Sequence, residues 1–211
     1  MTPGLSRDEW VEKLDQLGAK LEELGVSAHI VAIGSVPAML LGQPGRTSLD
    51  LDVWKPSSAF HEAALREAAE AVGLLFDPKD FVEPDMPYLQ IVRPGIVQVG
   101  PFEPEAVDQF SSLKISRPPV ENILASKLCR ASEKDIEDIF WLAGQFQPDI
   151  SKVREIVQTF PKQQRQTALE NMVFLEAFSP TPIQSATSPT MAKLQEVTPV
   201  HPRDHHDVQT P

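Results

Sequence analysis

Val31-Ala32-Ile33-Gly34-Ser35 and, after a short apolar run, Arg46-Thr47-Ser48-Leu49-Asp50-Leu51-Asp52-Val53-Trp54 form the stretch on which the reading of this chain turns. An apolar strand runs into Gly34-Ser35, and a short helical turn follows. The chain then returns as a second strand bearing two carboxylates. Side chains alternate between faces along a strand, so Asp50 and Asp52 point one way and Leu49, Leu51 and Val53 point into a core. Like charges held on one face repel, and a cation between them relieves that cost. Mg²⁺ is the natural choice, since it takes carboxylate oxygens and keeps room for substrate phosphates. Gly34 lets a phosphate approach the backbone closely. The next helical turn offers free N–H groups and a positive dipole end, and Ser35 adds a hydroxyl donor. Taken singly, each half has a plain structural reading, a solvated strand edge or a turn. The strand–turn–helix–strand order joins them.

The Gly-Ser…Asp-x-Asp arrangement resembles the nucleotidyltransferase superfamily. The form Arg46-x-Ser48-x-Asp50-Leu51-Asp52 looks like its abortive-infection type II branch, a set of toxin-like bacterial proteins. The resemblance covers roughly the first two thirds of the chain. It extends to a later segment in which Lys127, Arg130, Lys134, Asp135 and Asp138 fall on marked positions. It implies a Mg²⁺- (or Mn²⁺-) dependent transfer of a nucleotide from an NTP to an RNA acceptor such as tRNA, or to a protein. A cognate antitoxin or toxin is the implied partner. Asp50 and Asp52 would be the metal ligands, with Lys127 and Asp138 beside them in the catalytic set. Gly34, Ser35, Arg46, Ser48, Lys127 and Arg130 would bind the nucleotide. In such proteins a third carboxylate usually sits on a later strand. The best candidate strand here offers Gln98, and Glu103 or Glu105 just beyond it is a substitute. A neutral amide at that place weakens a two-metal site.

Composition bounds the class. The 211 residues are 41% hydrophobic and 23% charged, which suits one domain with an appendage. A formal net charge of -11 argues against broad nucleic-acid binding over the whole surface. Between Lys114 and Lys134, however, five bases (Lys114, Arg117, Lys127, Arg130, Lys134) face two acids (Glu121, Glu133). That local excess is a candidate landing site for phosphate or RNA. Cys129 is the single cysteine, so no internal disulfide can form, and a reducing cytoplasm is the expected compartment. The opening residues lack a signal-peptide pattern, and no apolar run is long enough to span a bilayer, so no membrane association is expected.

Local signals place the remaining elements. Ser6 and Glu9 form a capping box ahead of Trp10, Leu14, Leu17 and Leu21 at helical spacing, and Gly25 ends that helix. Ala28–Ile33 reads as the first strand, with His29 a packed or edge histidine. Pro37 falls in the first turn of a short helix, where it is tolerated. Arg46 has two readings of equal weight, a phosphate contact or an ion pair with an acid. Ser57 or Ser58 is the expected cap of a third helix that ends before Gly73. Residues 74–87 read as loop. Tyr88–Val92 and Ile96–Val99 read as strands joined by a turn at Arg93-Pro94-Gly95. Pro118-Pro119 starts a helix carrying Ile123, Leu124, Lys127 and Leu128. Ser132 with Asp135 at N3 caps the next, and for Asp135 this capping role is preferred. One or two further helices broken at Pro161 end near Phe178.

The expected fold is α+β: a nucleotidyltransferase-like mixed sheet over residues 1–115, a helical segment packed on it over 116–178, and a disordered, proline-rich tail over 179–211. His201, His205 and His206 in that tail suggest weak, incidental metal binding. Two rival readings stand beside catalysis, a nucleotidyltransferase fold kept as an inactive binding module and an unrelated domain with a decorative Asp-x-Asp.

Overall fold

The computed structural model describes residues 4–79 and 85–177. The tail, with its three histidines, lies outside the described residues, as do residues 80–84. Among the described residues the fold is α+β, built on a six-stranded mixed sheet in the order β3-β4-β2-β1-β6-β5. The strands are β1 (Ala28–Ile33), β2 (Asp50–Trp54), β3 (Leu75–Phe76), β4 (Tyr88–Val92), β5 (Glu105–Phe110) and β6 (Leu113–Arg117). β1 runs antiparallel to β2, with Ile33 opposite Asp52. β4 lies parallel to β2 on its other side, with Gln90 opposite Asp52. β6 lies parallel to β1.

Helix α1 (Arg7–Glu23) forms as its ends dictate. Ser6 and Glu9 make the expected capping box, and Gly25 at φ +68° follows the C-cap. Trp10, Leu14, Leu17 and Leu21 are buried against the sheet. With α3 (Glu62–Ala71) they cover the face that carries Ile30, Ala32, Leu51, Val53, Leu89, Ile91 and Ile115. The Trp10 indole Nε1 donates to the Ser48 carbonyl (2.9 Å), pinning the lead-in to β2 on α1. At Gly18 the helix meets the turn end of β5 so closely that a Cβ would lie 1.9 Å from the Phe110 carbonyl oxygen. No side chain fits between the two backbones.

A second hydrophobic cluster is helical. It joins α4 (Val120–Leu128), α5 (Glu133–Phe146), α6 (Ile150–Gln158), α7 (Lys162–Glu170) and α8 (Val173–Glu176). Ala38 of α2 (Val36–Leu40) is buried in the same cluster, so the turn after β1 seats these helices on the sheet. Among the described residues no helix is long and apolar enough to cross a membrane.

The structure departs from expectation at five places, the first being that three helices, α6 to α8, follow Asp149 where one or two were expected. Ile96–Val99 is a loop with one isolated bridge, Pro94 to Val97. Its backbone finds a side-chain partner instead of a strand, because Asn122 Nδ2 of α4 donates to the carbonyls of Val99 (2.8 Å) and Pro101 (3.1 Å). The β5–β6 hairpin was not expected. Its outer strand is exposed and polar, and Ser111 makes the turn at φ +48° without the usual Gly or Asn. Within 74–87, Leu75–Phe76 pairs with β4 as an edge strand. The third helix is capped by His61, whose Nδ1 accepts from Ala64 N (3.3 Å). Ser58 is busy elsewhere: its hydroxyl accepts from Val31 N (2.9 Å) and donates to the Trp54 carbonyl (2.8 Å).

Candidate functional site

Strand alternation sends Leu51 and Val53 into the core and leaves Asp50 and Asp52 on the opposite face. There they line a cleft of about 340 Å³ together with Gly34 and Ser35 from the turn after β1. The far wall comes from α4 and the residues just past it, with Ile123, Ser126, Lys127 and Arg130 at helical spacing. Asp135 of α5, Gln164 of α7 and the loop residues Ile96–Val99 also line it, with Ile33, Pro118 and Cys129.

The end of β1 is shaped around Asp52. Gly34 has φ +76°, and a Cβ there would lie 2.4 Å from Asp52 Oδ2. The residue must therefore be glycine both for its backbone and for the space the carboxylate occupies. Burial, and then the neighbouring Asp50, push the Asp52 carboxyl up to about 7, while Arg130 and Lys127 across the cleft pull it down. The Ser48 hydroxyl donates to Asp50 Oδ1 at 2.7 Å and holds that carboxylate in place.

The basic wall is anchored by two aspartates. Lys127 Nζ lies 2.5 Å from Asp138 Oδ2 and 3.6 Å from Asp135 Oδ1, with all three side chains buried. Arg130 is exposed but grips Asp135 with a fork, Nε to Oδ2 at 2.6 Å and Nη2 to Oδ1 at 2.8 Å. Asp135 also accepts from the Ser132 hydroxyl (2.6 Å), so it serves as cap and anchor together. Burial alone would raise its pKa, but the hydrogen bonds from Arg130 and Ser132 and the charges of Lys127 and Arg130 outweigh it and bring the group down to about 2. It stays ionised throughout the neutral range.

Six of the nine residues assigned from the sequence to the metal, the nucleotide or catalysis thus meet in one cleft: Gly34, Ser35, Asp50, Asp52, Lys127 and Arg130. Arg46, Ser48 and Asp138 sit behind its lining. Of the two readings of Arg46, the structure shows the ion pair, with Nη2 3.1 Å from Asp138 Oδ2. Gln98 lines the cleft from a loop rather than a strand. Glu105 pairs with Arg117 (2.9 Å), and neither it nor Glu103 reaches the lining. The residue beside Asp52 on the neighbouring strand is Gln90, whose Nε2 donates to Asp77 Oδ1 (2.8 Å). Ser126 and Gln164 were not foreseen. Ser126 was within reach of periodicity, because it shares a face with Ile123 and Arg130. Gln164 carries no such signal.

Among the described residues of the cleft, Asp50 and Asp52 are the neighbouring carboxylates that could hold a cation. Their donors are hard oxygens, and a divalent ion would offset the repulsion from Asp50 that adds to the effect of burial on Asp52, so the residues fit Mg²⁺. Among the described residues no group of three or more His, Cys, Asp or Glu converges as a ready metal site. Phosphate oxygens and water would complete the coordination. Comparison of the chain with protein-family models, with curated proteins and with solved structures returns no match.

Proposed function

We propose that this chain is a Mg²⁺-dependent nucleotidyltransferase of the abortive-infection type II kind, moving a nucleotide from an NTP to an acceptor hydroxyl on RNA, such as tRNA, or on protein. The observation that carries the reading is convergence. Two carboxylates on one face of β2 share a cleft with a Gly-Ser turn and with Lys127 and Arg130. A triphosphate alone would be repelled by Asp50 and Asp52, so this pairing makes sense for a ligand that arrives with a divalent cation. The mixed sheet, with Gly34-Ser35 after β1 and the Asp-x-Asp on its antiparallel neighbour, supports the nucleotidyltransferase-like topology.

Asp50 and Asp52 would hold the ion, with Ser48 fixing the Asp50 rotamer. Mg²⁺ (or Mn²⁺) bound there supplies neutralising charge and polarises the phosphate oxygens. The Ser35 hydroxyl, on the turn that Gly34 opens, receives the phosphates, and Lys127 and Arg130 stabilise the charge on them. The acceptor oxygen attacks the α-phosphorus. The bond from that phosphorus to the bridging oxygen breaks, pyrophosphate leaves, and the acceptor proton passes to solvent. The chain's contribution is position and fixed charge.

A second reading, an inactive nucleotide-binding module, is favoured by one observation. The residue beside Asp52 on β4 is the amide Gln90, and the loop that lines the cleft offers the amide Gln98 in place of a third carboxylate. One experiment separates the two. Wild type is incubated with each α-³²P-labelled NTP, Mg²⁺, total tRNA and cell lysate, beside Asp52→Ala. Label transfer abolished in the folded variant supports the enzyme, and binding without transfer supports the module. Neither binding nor transfer with any NTP refutes both.

A further inference from the structure

Ser35 is held from behind the cleft. Arg46 precedes β2, and its side chain is 9% exposed. Its Nη2 donates to Ser35 Oγ at 2.6 Å and also lies 3.1 Å from Asp138 Oδ2. That same carboxylate oxygen accepts from Lys127 Nζ. Ser35, Arg46, Asp138 and Lys127 therefore form one continuous chain whose two ends, Ser35 and Lys127, line the cleft and whose middle does not. Asp138 is fully buried, and its carboxylate holds both cations in place.

The chemistry of this chain is directional. A guanidinium can only donate, so Ser35 Oγ must act as acceptor toward Arg46. The hydroxyl's single proton is then left to donate elsewhere, and among the described residues it has no protein acceptor. We propose that Arg46 is a positioning residue that acts through Ser35. It occupies a lone pair of the hydroxyl so that the O–H proton is aimed into the cleft, at a phosphate oxygen of a bound nucleotide, and it touches no phosphate itself. This rests on the nucleotide-binding reading above, and it differs from a direct Arg46–phosphate contact in what it predicts.

The test is a double-mutant cycle on nucleotide affinity. A fluorescent N-methylanthraniloyl-ATP is titrated with Mg²⁺ into wild type, Ser35→Ala, Arg46→Lys and the double variant, with competition by each unlabelled NTP. Circular dichroism checks the fold of each. Ser35→Ala weakens binding about tenfold, the order of one hydrogen bond to a charged group. Arg46→Lys keeps a cation near Asp138 but removes Nη2, the one guanidinium nitrogen that reaches both Asp138 and Ser35, and it weakens binding by a similar factor. The double variant binds no more weakly than Ser35→Ala alone, because Arg46 has nothing left to act through. Effects that multiply overturn the proposal, since Arg46 then contacts the nucleotide directly. Full affinity in folded Arg46→Lys overturns it as well. If Arg46→Lys does not fold, Arg46→Gln takes its place in the cycle. Failure of wild type to bind any NTP is distinguishable from all of these, and it removes the nucleotide reading along with the proposal.

Discussion

Asp138→Asn is the sharpest probe of how the helices are fastened to the sheet. The substitution keeps the side chain's volume and removes its charge. Asp138 is fully buried, Arg46 and Lys127 are 9% and 5% exposed, and both cations lie on one carboxylate oxygen, at 3.1 and 2.5 Å. With an amide there, one neutral oxygen can still accept, but Arg46 is left without a counter-charge beside the Ser35 hydroxyl, and Lys127 keeps Asp135 at 3.6 Å. Stranding a buried charge costs about 3–5 kcal/mol. At about 2–4 °C per kcal/mol for a domain of this size, the midpoint should fall by about 6–20 °C. Urea denaturation at neutral pH measures the free-energy loss and a thermal melt the midpoint, each followed by far-UV circular dichroism. Adding Lys127→Met should cost less than the sum of the single changes, because one of the two stranded cations is then gone. A loss below about 1 kcal/mol, the range of exposed pairs, would refute the reasoning, since the network would then be solvated.

Three further outcomes follow from other contacts. Gly18→Ala should destabilise the protein by about 1–3 kcal/mol or more, because its Cβ would meet backbone at Phe110 that no rotamer change can move, and thermal unfolding measures the loss. Asp52, raised from its ordinary 3.8 to about 7 by burial and Asp50, binds its proton more tightly folded than unfolded. The metal-free protein should therefore lose stability as pH rises from about 4 through 7 and then level off, and Asp52→Asn should flatten that slope in melts across pH. The Cys129 thiol, pushed up to about 11 by burial, should react with iodoacetamide at pH 8 much more slowly than free cysteine, as mass spectrometry over time would show.

What the sequence determined by itself is what short-range physics controls. The capping boxes at Ser6–Glu9 and Ser132–Asp135 close over three residues, so both helix starts were legible. Strand alternation put Asp50 and Asp52 on one face with no knowledge of the rest of the chain. Local preference also misled: the apolar Ile96–Val99 run suits a strand, yet Asn122 from α4 took its backbone carbonyl and no strand came alongside. The exposed β5 strand shows no apolar alternation, because an edge strand borrows its stability from its partner. The partner of Arg46 lies 92 residues further along the chain, and Gln164 enters the cleft only because α7 packs on α4. Local spacing could offer Arg46 a phosphate or an acid as equals. Only the docking of α5 behind the Gly34-Ser35 turn chose the acid, because a buried guanidinium must find a carboxylate wherever the packed chain has placed one.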